Sequence, residues 1–359
     1  MAYTTINKST DYFNTKLYTG NGSASDRTIT GVGFQPDFLW NKSRSNAYNH
    51  YIFDVLRGTN MISSNTTQEQ EDKSPQFSAL TSDGFTIRND AGSLAINTSG
   101  VTFANWCWKA NGTGSANTDG TASNVTVSAN QTSGFSIVQF DATQSRVSVG
   151  HGLGSTPDAI FMKETEGSGG WVVGGFGLDW SGYLSLQSTN AFNNDSNDSS
   201  GTGRMFTPDG YAPTSSVWST NGSAFLSGGT KTCIAYCFKS IKGYSKFGSY
   251  VGNGNADGTF VYTGFKPAFV MIKDSTSAGL MWNIRDNKRD TFNPNDTVLY
   301  PNSSEVENAH GDNDVDWLSN GFKMRSTNGH TNASGDTYIF MAFAEAPLVG
   351  SNNVPCTAR

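Results

Sequence analysis

Charge is scarce in this chain: only 15% of its 359 residues are Asp, Glu, Lys or Arg, against about a quarter in an ordinary soluble domain. The basic share is smaller still, 24 Lys and Arg against 30 Asp and Glu, for a net charge of −6. That balance argues against a nucleic-acid partner, which needs a basic face to displace counterions. No apolar run approaches the ~18 residues of a membrane span. The opening MAYTTINKSTDYF lacks the basic and apolar regions of a signal peptide, and neither an N-terminal anchor nor a coiled coil is expected before the first β unit. Helical periodicity is nearly absent too, the best short candidate being residues 66–73.

Chemistry-bearing motifs are equally thin. His50, His151, His310 and His330 show no HxxxH or HxH spacing, and there is no Gly-x-Ser-x-Gly elbow, P-loop or CxxC pair. The four cysteines are Cys107, Cys233, Cys237 and Cys356. Cys233 and Cys237 share a strand-like stretch, which would set them about 13 Å apart on one face, beyond disulfide reach. They read as small core residues, compatible with assembly in a cytoplasm. No cofactor is expected.

Glycine and aromatics are plentiful: 40 Gly, 23 Phe, 13 Tyr and 8 Trp. Apolar stretches of four to eight residues, rich in Phe, Val, Ile and Tyr, are bounded by Gly, Asn, Asp and Pro, a strand-and-turn pattern. These strands recur in three copies. GFQPDFLWNKSRS (33–45), GSTPDAIFMKETE (154–166) and GFKPAFVMIKDST (264–276) align on Pro36, Pro157 and Pro267, with Lys42, Lys163 and Lys273 six residues later. YTGNGSASDRTIT (18–30) matches YVGNGNADGTFVY (250–262). MISSNTTQEQ (61–70) matches LYPNSSEVE (299–307), with YLSLQSTNA (183–191) between them, and each copy ends in an apolar strand. There the match places Cys107, Cys237 and Phe343 together, a position filling core volume. The expected fold is all-β: three tandem antiparallel β-sandwich-like repeats at 1–112, 128–243 (the most divergent) and 244–359 with a short C-terminal tail. A Gly/Ser/Thr/Asn linker spans 113–127.

The recurrent lysine at a strand end reads as a snorkelling side chain or an edge-protection device, against a binding role. Asp312, Asp314 and Asp316 form the best, though weak, oxygen-rich metal candidate. Trp180, Tyr183, Tyr211 and Trp218 are candidate sugar-stacking aromatics, with core packing as the competing reading. Aspartates sit mostly in turns, so no catalytic residue is expected.

AYTTINKSTDYFNTKLYTGNG (2–22), GFQPDFLWNKSRS, FANWCWK (103–109), AYCFKSIKGYSKFGSYVGNGNADGTFVYTGFKPAFVMIK (235–273), LSNGFKMRS (318–326) and YIFMAFAEAPL (338–348) resemble a family of virion structural or tail-fibre proteins. These occur in marine and freshwater tailed phages and are built of tandem β domains of unknown function. The resemblance implies a non-enzymatic virion protein assembled in the host cytoplasm. A tail fibre or receptor-binding tail component leads; a capsid decoration or head-fibre protein is the alternative, and a carbohydrate-active depolymerase the third. Implied partners are other virion proteins, further copies of itself (a trimer first) and a host-surface glycan.

Overall fold

The computed structural model describes residues 3–89, 94–194, 205–207, 212–309, 314–350 and 354. Strands make up 43% of the chain, and the described residues contain no α-helix, in keeping with the all-β expectation. The 66–73 segment is not helical: Glu71–Asp72 pairs with Asn60–Met61 as a short ladder, and the residues before it lie across the next copy, a tertiary contact that overrides weak local propensity.

Each copy builds one antiparallel sheet with the same strand order. An opening strand (Phe13–Thr19, Phe135–Ala142, Ser245–Val251) pairs with the closing strand (Thr102–Trp108, Lys231–Phe238, Thr337–Pro347). The closing strand pairs with the strand after the recurrent proline (Phe38–Ser43, Ala159–Glu164, Phe265–Asp274). That strand in turn pairs with an edge strand (Tyr51–Asp54, Val172–Gly175, Asn283–Asp286). Pro36 and Pro157 precede their strands and Pro267 sits at a bulge, the places where a missing N–H is tolerated. In the middle copy Ser115–Ala116 and Ser123–Asn130 extend the sheet. Much of the 113–127 stretch is therefore paired backbone rather than free linker, because Val125 and Val127 give it a buried face.

The two faces of each sheet have different fates. Leu39, Phe53 and Phe103 of the first copy are buried beneath a small outer sheet of Arg27–Thr30, Phe77–Thr81 and Gly84–Ile87, and the other copies repeat this layering. The alternate residues point inward into a single core shared by all three copies: Phe38, Trp40 and Trp106; Phe161, Tyr236 and Phe238; Phe269, Met341 and Phe343. Rings meet across every junction, with centroids 4.5 Å apart for Phe38–Tyr236, 5.4 Å for Phe238–Phe247 and 5.0 Å for Phe13–Phe343. A cavity of about 20 Å³ lined by Phe38, Trp40, Phe161, Trp171, Tyr236 and Met341 remains inside this core, far smaller than the few hundred Å³ of a ligand pocket.

The register corrects one alignment. Trp108, Phe238 and Phe343 face Phe38, Ala159 and Phe269 respectively, so Cys107 and Cys237 correspond to Ala342, one residue before Phe343. A one-residue slip changes the face, and these strands are apolar on both faces, so periodicity could not reveal it. Cys107, Cys233 and Cys237 are free, buried thiols.

Candidate functional site

The chemically versatile side chains converge on the junctions between copies. A strap from each copy crosses onto the next: Gln70 N donates to Thr165 O at 2.9 Å, Phe192 N to Ser275 O at 2.9 Å, and Glu307 N to Arg44 O at 2.8 Å. First to second, second to third, third to first, the same contact closes a ring, as a head-to-tail interface does when its rotation closes. A ring N–H pins each strap again. Trp171 Nε1 donates to Ser63 O at 2.8 Å, Trp282 Nε1 to Ser185 O at 3.1 Å, and His50 Nε2, 2.9 Å from Tyr300 O, fills the same role. Trp40 Nε1 donates to His50 Nδ1 at 2.9 Å, which leaves the proton of a neutral imidazole on Nε2.

Burial, with the nearby Lys42 charge, holds the His50 pKa well below its usual value, and burial lowers that of His151. The folded protein keeps these rings neutral where the unfolded chain protonates them, so stability is lost as pH falls below about 6.5. We predict a slope of up to about 1.4 kcal/mol per pH unit for each ring, read by urea unfolding from pH 7.5 to 5. His50→Gln, which can still accept and donate, should remove about half of it; an unchanged slope would contradict the assignment.

The recurrent lysines do not snorkel. Lys42, Lys163 and Lys273 are each fully buried, at 0% exposure. Each lies two residues beyond an inward-facing Trp40, Phe161 or Met271 and so shares the inner face of its sheet. Lys42 Nζ donates to Tyr48 O at 2.8 Å and to Ser304 O of the third copy's strap at 3.0 Å. Lys163 Nζ donates to Gly169 O at 2.5 Å and to Thr67 O of the first copy's strap at 3.0 Å. Lys273 Nζ donates to Asp274 O at 2.6 Å. Backbone carbonyls replace the water that a snorkelling amine would seek. Burial lowers all three pKa values to about 8.

Buried ion pairs complete two junctions. Asp54 Oδ2 accepts from Arg57 Nε at 2.7 Å and from Tyr236 Oη at 2.7 Å, joining the first copy to the second. Asp286 Oδ2 accepts from Arg289 Nε at 2.5 Å and from Trp106 Nε1 at 3.0 Å, joining the third to the first. At the third junction the register places Gly175, Leu178 and Met341 in these positions. Gly175 has φ +102°, and a Cβ there would sit 2.2 Å from Asp158 O, so no aspartate fits.

The aromatics expected to stack on sugar are mostly interior. Trp218 is buried edge-on against Phe140 with centroids 5.6 Å apart. Trp180 is half-buried against Phe206, and the half-buried Tyr183 accepts at its hydroxyl from Asn193 Nδ2. The middle copy's long connection carries part of a core, which composition cannot distinguish from an exposed platform. Tyr211 and Asp312 lie outside the described residues. Asp316 approaches Arg325 at 3.4 Å, and among the described residues no group of three His, Cys, Asp or Glu side chains is arranged to hold a metal. The cleft beside Gln68, Glu69, Glu71, Gly167 and Ser168 encloses about 420 Å³, but Glu71 is already paired with Lys73 at 2.5 Å.

The exposed aromatic surface lies on the third copy. Val251, Phe260 and Tyr262 are 56%, 44% and 49% exposed. Phe260 and Tyr262 alternate with buried Val261 along the short strand Phe260–Tyr262, at the edge of the outer sheet. Thr259 Oγ1 donates to Val251 O at 2.8 Å, bringing the opening strand's end alongside. At the corresponding positions of the first copy stand Thr19, Thr28 and Thr30. Pairing YTGNGSASDRTIT with YVGNGNADGTFVY residue by residue would have exposed this exchange of three threonines for Val, Phe and Tyr.

Around that surface Tyr3 Oη donates to Gly264 O at 2.8 Å, and Lys242 Nζ lies 4.4 Å from the Tyr3 ring centroid. Lys246 Nζ donates to Tyr262 O at 2.6 Å and stands 5.5 Å from the Tyr262 centroid. Burial, then the hydrogen bond with Tyr262, pushes the Tyr3 pKa up to about 12. None of the curated proteins compared with this chain matches it. The family model described as "Domain of unknown function (DUF7483)" matches residues 8–347, a span that takes in the three-copy ring and most of this surface, and the chain belongs to that family.

Proposed function

We propose that this protein is a non-enzymatic structural component of a tailed-phage virion, carried on the tail and engaged in host attachment. The observation that carries the reading is the division of labour within the ring. Lys42, Lys163, His50 and the Asp–Arg pairs are bonded into the junctions, while an exposed surface changes from Thr19, Thr28 and Thr30 in one copy to Val251, Phe260 and Tyr262 in another. A scaffold of that kind holds its shape and displays different surfaces at equivalent places, which suits attachment and presentation. The resemblance of the quoted segments to virion proteins supports the same reading. Because the inner faces are already covered by one another, association with further copies or with other virion proteins would use the outer faces.

Immunogold labelling of intact virions with antibody against this chain tests the proposal. Label at the tail end is the expected result. Label over the head would replace it with a capsid decoration role, and no label on any particle would overturn the virion assignment. Release of reducing sugar from host polysaccharide by the purified chain would overturn the non-enzymatic part.

A further inference from the structure

From the surface of the third copy we infer a binding site for an acidic saccharide, stacked on Phe260 and Tyr262 with its carboxylate met by Lys246 and Lys242. The inference deepens the attachment role proposed above and rests on it for its biology.

The ring is built without these aromatics. The first copy makes the same opening strand and the same outer sheet with Thr19, Thr28 and Thr30 where the third has Val251, Phe260 and Tyr262. Both sets point outward while Ile29 and Val261 fill the core between them. The strand and its sheet therefore form with threonine at all three places, and the third copy's larger side chains leave about half of each on the surface.

Charge and area select the occupant. Lys246 stands over the Tyr262 ring and Lys242 over that of Tyr3, the hydroxyl neighbour of Tyr262, and among the described residues neither meets a carboxylate. Each ammonium has three donors, and the one bond Lys246 makes to Tyr262 O leaves two for an anion. In a chain of net charge −6, two cations with no acidic partner among the described residues, one over Tyr262 and one over the adjoining Tyr3, form a local positive site. Nucleic acid would need a much larger basic face. The apolar area offered by the three side chains is roughly 300 Å², well short of the ~800 Å² per partner of a stable protein interface. It is enough for a few sugar rings. Phe260 and Tyr262, two residues apart on one strand face, have side chains ~6.6 Å apart, so neighbouring units of one oligosaccharide can each lie against a ring. The site is an open surface, so binding should be weak for one chain and strengthened when several chains are displayed together.

The test is an array of carboxylated oligosaccharides and their neutral methyl esters, probed with the full chain and followed by calorimetry on whichever member is retained. We expect retention of carboxylated members and at least tenfold weaker binding of the matched esters. Phe260→Thr/Tyr262→Thr installs residues the first copy already uses, so it should melt within a few degrees of the parent yet lose binding at least tenfold. Lys242→Gln/Lys246→Gln should abolish the preference for the carboxylate. Equal binding by the parent and the aromatic double variant, or no preference for acidic members, would overturn the inference. So would a mass that doubles with concentration in light scattering and reverts in the aromatic variant, which would make the surface a contact between copies. Virion labelling without saccharide binding would overturn this site and leave the attachment role standing. Saccharide binding without label on any particle would do the reverse.

Discussion

Asp54→Ala should lower the unfolding free energy by about 3–5 kcal/mol, the range found when one partner of a buried ion pair is removed. Asp54 and Arg57 are both buried, and the carboxylate also accepts from Tyr236 of the next copy. Its loss leaves a guanidinium and a phenol in the core, with the neutral acceptors Asn60 O, Ile52 O and Tyr236 Oη for Arg57 and no countercharge on this carboxylate's side. Asp286→Ala should cost less, because Glu307 also reaches Arg289, at 3.0 Å. The second-to-third junction shows what else the geometry permits, since Leu178 and Met341 stand there in place of arginine and tyrosine. Combining Asp54→Ala with Arg57→Leu and Tyr236→Met should therefore recover stability to within about 2 kcal/mol of the parent, as apolar replacement of a whole buried pair commonly does. Urea unfolding of the single and triple variants reads both results. A triple variant as unstable as the single one would show that the pair adds more than local satisfaction of charge.

The comparison of those junctions also shows what the sequence made legible. The three-fold repetition, the strand class and the four marker segments were readable because strands of four to eight residues and their Gly/Asn turns have local signatures. The pairing of MISSNTTQEQ, YLSLQSTNA and LYPNSSEVE identified the straps before anything indicated that they cross to another copy. What sequence could not supply was direction. A lysine after an apolar run looks the same whether its amine ends in water or on a neighbour's carbonyl, and Lys42 and Lys163 do the latter. Two-faced apolar strands likewise hid the register that separates Phe343 from Cys107. Residue type alone points to Trp180, Tyr183, Tyr211 and Trp218, and not to the third copy's aromatic surface. Phe260 and Tyr262 stand out only against the threonines of an equivalent copy.

Buried lysines lead to the second large effect, an alkaline rise in stability. Lys42, Lys163 and Lys273 have folded pKa values lowered to about 8, against about 10.4 in the unfolded chain. Below pH 8 both states are protonated and the full penalty of burying three cations is present. Above pH 8 the folded amines lose their protons while the unfolded ones keep them, so the penalty is relieved. Between pH 8 and 9 this should add about 1 kcal/mol per lysine. The thiols oppose it: burial raises the pKa values of Cys107, Cys233 and Cys237, so only the unfolded chain ionises there. That subtracts about 0.7 kcal/mol per thiol over the same interval. The expected net is a rise of about 1 kcal/mol from pH 8 to 9, then a fall toward pH 10 as the unfolded thiols and tyrosines ionise further. Burial keeps Tyr236, Tyr244 and Tyr250 protonated in the folded chain well above that pH. Lys163→Met should remove about 1 kcal/mol of the rise, and it leaves Thr67 O and Gly169 O without the amine. Its stability at pH 7 therefore reflects relief of a buried charge set against two unsatisfied carbonyls, whereas the slope reports the charge alone. A parent profile that falls steadily from pH 7 to 9 would mean that the three amines keep their protons in the folded protein as they do in the unfolded chain, and would overturn the prediction.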